Sequence, residues 1–250
     1  MFETETREGV LRVGREGARW LSTGWDGGEW RADAAYNVSV PEGFDRTDLD
    51  AYLAERRRSA GFDDPGPALL TGVALRHARG ARCGPVSAVA TAGVSNPAAL
   101  PMDPDGEPAE GDGGPSDSDS DASDSDFDSG PEIGTVNVVV GTDRALAPGA
   151  LPNLLAVAVE AKTATLLAET GFPGTTSDAV VAACDPAGEE TTFSGSATEV
   201  GACARVCVRE AVRAGLESRY GDATDATIPE SVADADYGAT ATRRATVFTP

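Results

Sequence analysis

Residues 101–132 carry 12 carboxylates, no basic residue and a run of Ser-Asp dipeptides. Such a segment holds too little apolar surface to offset the entropy of ordering it, so it is expected to be disordered and outside any core. The fold must then be assembled from the two flanks. A chain of 250 residues is long enough for one generous domain, read here as 1–250 with 101–132 as a solvated acidic insertion. The insertion lacks the glycine-plus-glutamate spacing of an EF-hand loop, so its aspartates are not read as a calcium site.

The charge balance extends the constraint. There are 20 basic residues against 41 acidic ones, a net charge of −21, and all the basic residues but Lys162 are arginine. An acidic surface stripped of lysine stays hydrated in concentrated salt, where the Debye length falls to about 3 Å at 1 M and self-repulsion is screened. The acidity is therefore read as an adaptation to molar salt, with recruitment of a basic partner as the alternative. No basic patch with interleaved aromatics appears, so nucleic acid is not an expected partner. No window approaches 18 uninterrupted apolar residues, and the first residues lack a charged n-region and an apolar h-region. A cytoplasmic protein without membrane contact is expected. Cys83, Cys184, Cys203 and Cys207 contain no C-x-x-C pair and read as reduced core residues.

Hydrophobic periodicity predicts strands at Val10–Val13, Trp20–Ser22, Ala35–Val40, Ala68–Ala74 and Val86–Thr91. It predicts a helix over Thr47–Ala60, capped by Asp45 or Thr47, with Leu49, Tyr52 and Leu53 buried. Past the insertion come a strand at Thr135–Thr142 and a helix of roughly 18 residues ending near Glu169 before Gly171 and Pro173. A strand at Ala179–Cys184 and a helix from Thr198 to Arg219 follow, with a closing strand at Arg244–Phe248. The last helix is expected to bury Val200, Cys203, Cys207, Ala211 and Ala214 and expose Arg205, Arg209 and Arg213. Strands alternating with amphipathic helices indicate an α/β or α+β fold, a mixed sheet layered with helices.

One histidine, His77, is too few for a multi-histidine metal site, and no Walker, G-x-S-x-G or G-x-G-x-x-G motif occurs. His77, among arginines, reads as a surface group. No metal and no cofactor are expected. Lys162 falls on the helix face shared by Leu151, Leu155, Ala158 and Leu166, opposite Glu160. A composition that has discarded every other lysine keeps one pointing inward, where its compact charge suits proton transfer or anion stabilisation. A buried structural ion pair is the equal alternative. Thr135 and Asn137 share one strand face, a hydroxyl beside an amide. Ser177 and Asp178 precede a buried strand, as a turn cap would. Cys203 and Cys207, four apart on a helix, read as core packing.

Several stretches together resemble the adenosylcobinamide amidohydrolase family. They are Trp20-Leu21-Ser22-Thr23-Gly24 with Gly27-Gly28, Tyr36-Asn37-Val38-Ser39-Val40, Thr91-Ala92-Gly93-Val94-Ser95-Asn96-Pro97 and Gly134-Thr135-Val136-Asn137. Glu160-Ala161-Lys162-Thr163, Thr175-Thr176-Ser177-Asp178, and Phe193-Ser194-Gly195 with Thr198 and Gly201 continue the pattern. The likeness covers most of residues 15–216 and departs at Ser196, where the family tends to carry lysine. It implies hydrolysis of the amide joining aminopropanol to the corrin ring, giving adenosylcobyric acid and 1-amino-2-propanol. The implied catalytic residues are Thr135, Asn137, Lys162 and Asp178. A corrinoid substrate would meet Asn37, Thr91, Ser95, Asn96, Ser194 and Gly195 in a wide cleft. The oligomeric state is left open.

A shorter likeness bears on mechanism. Gly134–Asp143 followed by a helix is similar to the strand that begins at the nucleophile in DmpA-like aminopeptidases and ornithine acetyltransferases. It implies an αββα sandwich, chain scission before Thr135, Thr135 as nucleophile and Lys162 as a replacement base. Two other readings stand beside amide hydrolysis of a corrinoid: a self-processing peptidase or acyltransferase, and a non-catalytic corrinoid-binding protein.

Overall fold

In the computed structural model, which describes residues 1–41, 43–103, 134–221 and 226–250, three antiparallel strands open the chain. They are β1 (Glu3–Arg7), β2 (Val10–Ser22) and β3 (Gly28–Ser39). The two short strands expected at Val10–Val13 and Trp20–Ser22 are the ends of the single strand β2. A bulge between Gly14 and Ala18 bends it, and Gly17, at φ 64°, supplies the left-handed residue.

Next come α1 (Leu49–Ser59), β4 (Ala68–Thr71), the hairpin β5 (Arg79–Cys83) and β6 (Val86–Ala92), and β7 (Pro97–Ala99). The second flank runs β8 (Val136–Thr142), β9 (Ala145–Leu146), α2 (Ala150–Thr170), β10 (Gly174–Thr175) and β11 (Ala179–Cys184). It closes with β12 (Glu190–Thr191), α3 (Glu199–Tyr220) and β13 (Ala239–Thr240). The acidic insertion lies outside the described residues from 104 to 132.

The main sheet has the order β4-β3-β2-β11-β8-β6-β5, with β1 added on β2. β11 lies between β2, from the first flank, and β8, with which it runs parallel. α2 is the crossover between β8 and β11. It and α3 cover one face, where Val136, Val138, Val140, Val180 and Ala182 meet Leu151, Leu154, Ala158, Cys207, Val208 and Ala211. On the opposite face Val139, Val181 and Ala183 meet Leu11, Val13, Ala35 and Leu69. These partners belong to the same sheet, so the sheet must fold over on itself. The side chain of Asn137 in β8 donates to Asn37 of β3 (3.1 Å) and to the Leu70 carbonyl of β4 (2.8 Å), although β11 and β2 separate these strands in sheet order. α1 packs Tyr52 and Leu53 on the outside of the overfold, against Val10, Ala34, Tyr36 and Val38. The layers therefore read helix, strand, strand, helix, in an α+β fold. Phe2 fills the interlayer space edge-on to Trp20 at 5.5 Å, and a Cβ on Gly141 would come within 2.6 Å of its ring.

Several local expectations are corrected. Asp48, not Asp45 or Thr47, precedes α1, and it makes no capping bond; Leu49 is half-buried. β4 stops at Thr71, whose hydroxyl accepts from the Val73 N–H and turns the chain. Ala214 is exposed, because Gly215 and Leu216 take the inward positions of α3. Residues 244–248 form no strand: they are exposed, with a single bridge at Arg244. α2 has the length and composition of a membrane span. Here its apolar side is buried in the core, with Lys162 in its middle.

Candidate active site

Because β8 and β11 are parallel, their first residues lie at the same end of the sheet, and the C-terminal half of α2 returns there. The loop from Gly171 to Asp178 then enters β11. Thr135, Lys162, Ser177 and Asp178 are brought together by this one β-α-β unit.

Asp178 is the hub. Its Oδ1 accepts from the Val136 N–H (2.9 Å) and the Thr175 hydroxyl, and its Oδ2 from the Thr175 N–H (3.1 Å) and the Lys162 ammonium. A carboxylate offers about four acceptor directions, and here all are taken. Asp178 therefore holds the first residue of β8, the entry to β11 and α2 in one register. The Lys162 and Asp178 side chains are only 7% and 11% exposed, so the pair is shielded from water. Lys162 points inward as its helix face predicts, and Asp178 is its hydrogen-bond partner among the described residues. Gly174 is required at its position: a Cβ there would stand 2.7 Å from Asp178 Oδ2.

Thr135 precedes β8 and is 4% exposed, with its Oγ1 3.1 Å from Ser177 Oγ. The loop after β6 clamps it from the other side. The Gly93 N–H donates to the Thr135 carbonyl (3.2 Å), and the Gly134 N–H donates to Ser95 Oγ (2.6 Å). A Cβ on Gly134 would lie 2.5 Å from Ser95 N, so only glycine permits this approach. Asn96 accepts from the Thr176 N–H through its carbonyl (3.1 Å) and donates from Nδ2 to the Thr176 hydroxyl. The Val94 N–H donates to Tyr220 Oη (2.7 Å), tying the end of α3 to the same loop.

Asn137 lies deeper, on the face turned toward the overfold. Asn37 receives its amide and in turn donates to Thr91 Oγ1 (3.0 Å). All three are almost fully buried between the strand layers. Asn37 and Thr91, expected on a substrate cleft, are supports inside the fold instead, because the overfold covers the strand face they occupy. Two buried acceptors, Asn96 Oδ1 and Asn137 Oδ1, have no hydrogen-bond partner among the described residues.

Ser194 and Gly195 are not in this cluster. Ser194 donates to the Ala150 carbonyl (2.6 Å), twelve residues before Lys162 and so about 18 Å away along α2. Their loop prepares the start of α3, where Thr198 Oγ1 accepts from the Gly201 N–H (3.1 Å) and the Gly195 backbone fits against Gly201. Ser196, the departure from the family's lysine, accepts from Arg205 (3.3 Å) at that same remote end.

His77 sits in a 3-10 turn with Nδ1 3.1 Å from Ser218 Oγ, its pKa lowered by burial and by Arg76. Cys83 and Cys203 are in contact at 3.2 Å, and Cys207 lies in the core. Among the described residues no three His, Cys, Asp or Glu gather in a way that would hold a metal ion. Sequence reasoning understated Ser177 and Thr175. Both stood in a quoted motif, but nothing linear told that a residue some 40 positions from Thr135 would face it.

The family model for adenosylcobinamide amidohydrolase matches residues 1–224. The chain belongs to that family. A relative from Halobacterium salinarum, named adenosylcobinamide amidohydrolase, is 55% identical over 252 residues, covering the full length of both chains. A second of the same name, from Methanosarcina mazei, is 28% identical over 210 residues, covering 80% of this chain and 90% of its own. The family match spans both flanks, the cluster around Asp178 in the second and the loop of Gly93, Ser95 and Asn96 that clamps Thr135 from the first.

Proposed function

We propose that this protein hydrolyses the amide linking aminopropanol to the corrin ring of adenosylcobinamide, releasing adenosylcobyric acid and 1-amino-2-propanol for corrinoid salvage. The observation that carries the reading is the convergence of Thr135, Ser177, Lys162 and Asp178 in a chain that the family matches over residues 1–224. In this reading Thr135 Oγ1 attacks the amide carbonyl, and its proton passes through the Ser177 hydroxyl to the nitrogen of the leaving amine. The amine departs with a proton, and water cleaves the resulting ester to give the acid and regenerate Thr135. Lys162 supplies positive charge for the oxyanion, in surroundings where few water molecules weaken it. Asp178 acts through others, by holding Val136 and Lys162 in place.

The reading of Lys162 as base gives way to this one, because the ammonium is engaged by a carboxylate saturated with donors. Self-processing before Thr135 is not favoured, and a single species of 25.5 kDa is expected by mass. We also read the chain as working in a cytoplasm of molar salt. The near absence of lysine, the four free thiols and the likeness to a Halobacterium protein support this.

The test is product analysis with adenosylcobinamide in concentrated potassium chloride. Wild type releases 1-amino-2-propanol, Thr135→Val loses about 10³-fold or more in turnover, and Thr135→Ser keeps part of it. No release by the wild-type protein rejects the reaction. Full turnover by a folded Thr135→Val protein rejects the nucleophile.

A further inference from the structure

A second feature stands beside the polar cluster and takes no part in it. The turn between β2 and β3 presents Trp25, which is 48% exposed yet held by a hydrogen bond from its Nε1 to Asp50 Oδ1 (2.7 Å). An indole half in water and still anchored is a preorganised surface for stacking. It borders a hollow of about 110 Å³, together with Trp30, Tyr36, Leu53 and Arg57. Corrinoid-sized ligands need more room, since sites for drug-sized molecules run to about 300–1,000 Å³. One planar ring system is the size that suits.

The polar atoms narrow the ligand further. Arg57 Nε is a buried donor without a hydrogen-bond partner among the described residues, in a side chain stacked over the Tyr36 ring at 5.8 Å. A buried, unmatched donor is costly, a cost relieved by a ligand acceptor. Asp50 keeps a carboxylate oxygen beyond the one used by Trp25, and Asp26 stands on the same wall. An acceptor-seeking guanidinium and donor-seeking carboxylates, flanking an indole, match the edge of an adenine, which offers ring-nitrogen acceptors beside an exocyclic amine.

The hollow is attached to the catalytic end by two routes. The Thr23 N–H donates to the Val180 carbonyl (3.0 Å), and the Val180 N–H returns to Thr23 Oγ1 (2.9 Å). Trp25 lies two residues beyond Thr23 and Asp178 two residues before Val180, steps of about 7 Å each at most. Gly24 packs on Leu69 and Ala68, next to the Leu70 carbonyl that holds Asn137.

We propose that the hollow formed by Trp25, Trp30, Tyr36, Asp50 and Arg57 is the subsite for the adenine ring of the substrate's adenosyl group. This assignment rests on the proposed reaction, and two readouts separate the fate of each. In the first, wild type and Trp25→Ala hydrolyse adenosylcobinamide and cyanocobinamide, which lacks the adenosyl group. The variant raises KM for the adenosyl form about tenfold, the scale of one lost base–aromatic stack, and leaves KM for the cyano form unchanged. Arg57→Met, which keeps the fold of α1, shifts the same ratio in the same direction. In the second, 5′-deoxyadenosine alone quenches the tryptophan fluorescence of the wild-type protein and not that of Trp25→Ala. Equal KM changes on both substrates, or no quenching by the nucleoside, overturn the subsite even where hydrolysis is intact. Quenching by 5′-deoxyadenosine without any hydrolysis of either corrinoid keeps the adenine site and rejects the reaction.

Discussion

Replacing Asp178 by asparagine tests the hub directly. The native carboxylate receives four donors: the Val136 N–H, the Thr175 N–H, the Thr175 hydroxyl and the Lys162 ammonium. An amide has one oxygen and one NH2 group, so two of these directions now meet a donor. With the oxygen toward Lys162 and the Thr175 N–H, the Thr175 hydroxyl rotates away and the Val136 N–H is orphaned, at about 1–3 kcal/mol. With the opposite orientation the ammonium itself is orphaned. In either case the buried charge of Lys162 loses its counter-ion, and breaking such a pair costs about 3–5 kcal/mol. Asp178→Asn is therefore expected to lose about 3–5 kcal/mol, a large part of the 5–15 kcal/mol typical of a domain. Adding Lys162→Met removes the stranded charge and leaves the Val136 N–H as the main defect. The double variant is thus more stable than Asp178→Asn alone by about 2 kcal/mol. Urea unfolding followed by circular dichroism in molar potassium chloride measures all four proteins of the cycle. An Asp178→Asn protein within about 1 kcal/mol of wild type, or strictly additive single changes, refutes the hub.

Gly134→Ala would force a Cβ against Ser95 N and Gly93 C, so it should displace Thr135 and cost about 1–3 kcal/mol along with turnover. Gly149→Ala, with nothing within 4 Å of its Cβ, should stay within about 1 kcal/mol by the same unfolding assay. Burial first, and the neighbouring thiols after it, push Cys203 up to about 11 and Cys207 up to about 12. Raised values keep both protonated at pH 8, and iodoacetamide followed by mass spectrometry should label them about 100-fold more slowly in the native protein than in urea; equal rates would refute this. Lowering potassium chloride from molar to about 0.1 M lengthens the Debye length to about 10 Å and should lower the urea midpoint, whereas an unchanged midpoint contradicts the reading of the acidic surface.

The residues themselves determined much of this. Near-continuous apolar runs placed strands at Thr135–Thr142 and Ala179–Cys184, because strands buried on both faces read as runs of small and β-branched residues. The 3.6-residue period turned Lys162 into the core, since a helix face is a local property of spacing. The single lysine in so acidic a chain marked itself by composition alone. Helix caps and the ends of β2 were less legible, because a bulge and an uncapped first turn are settled by packing rather than by residue type.

Pairing belonged to the tertiary structure. No local signal says that Asp178 meets both Val136 and Lys162, or that Ser177 meets Thr135, because these contacts exist only once a parallel crossover brings two strand starts to one edge. The overfold of the sheet likewise decided the fate of Asn37 and Thr91. Their polarity suggested a cleft, but polarity does not reveal which side of a strand a second layer will cover, and here the cover makes them internal supports. Ser194 and Gly195 were drawn to the opposite end by the direction of α2, a consequence of chain topology that short-range spacing does not encode.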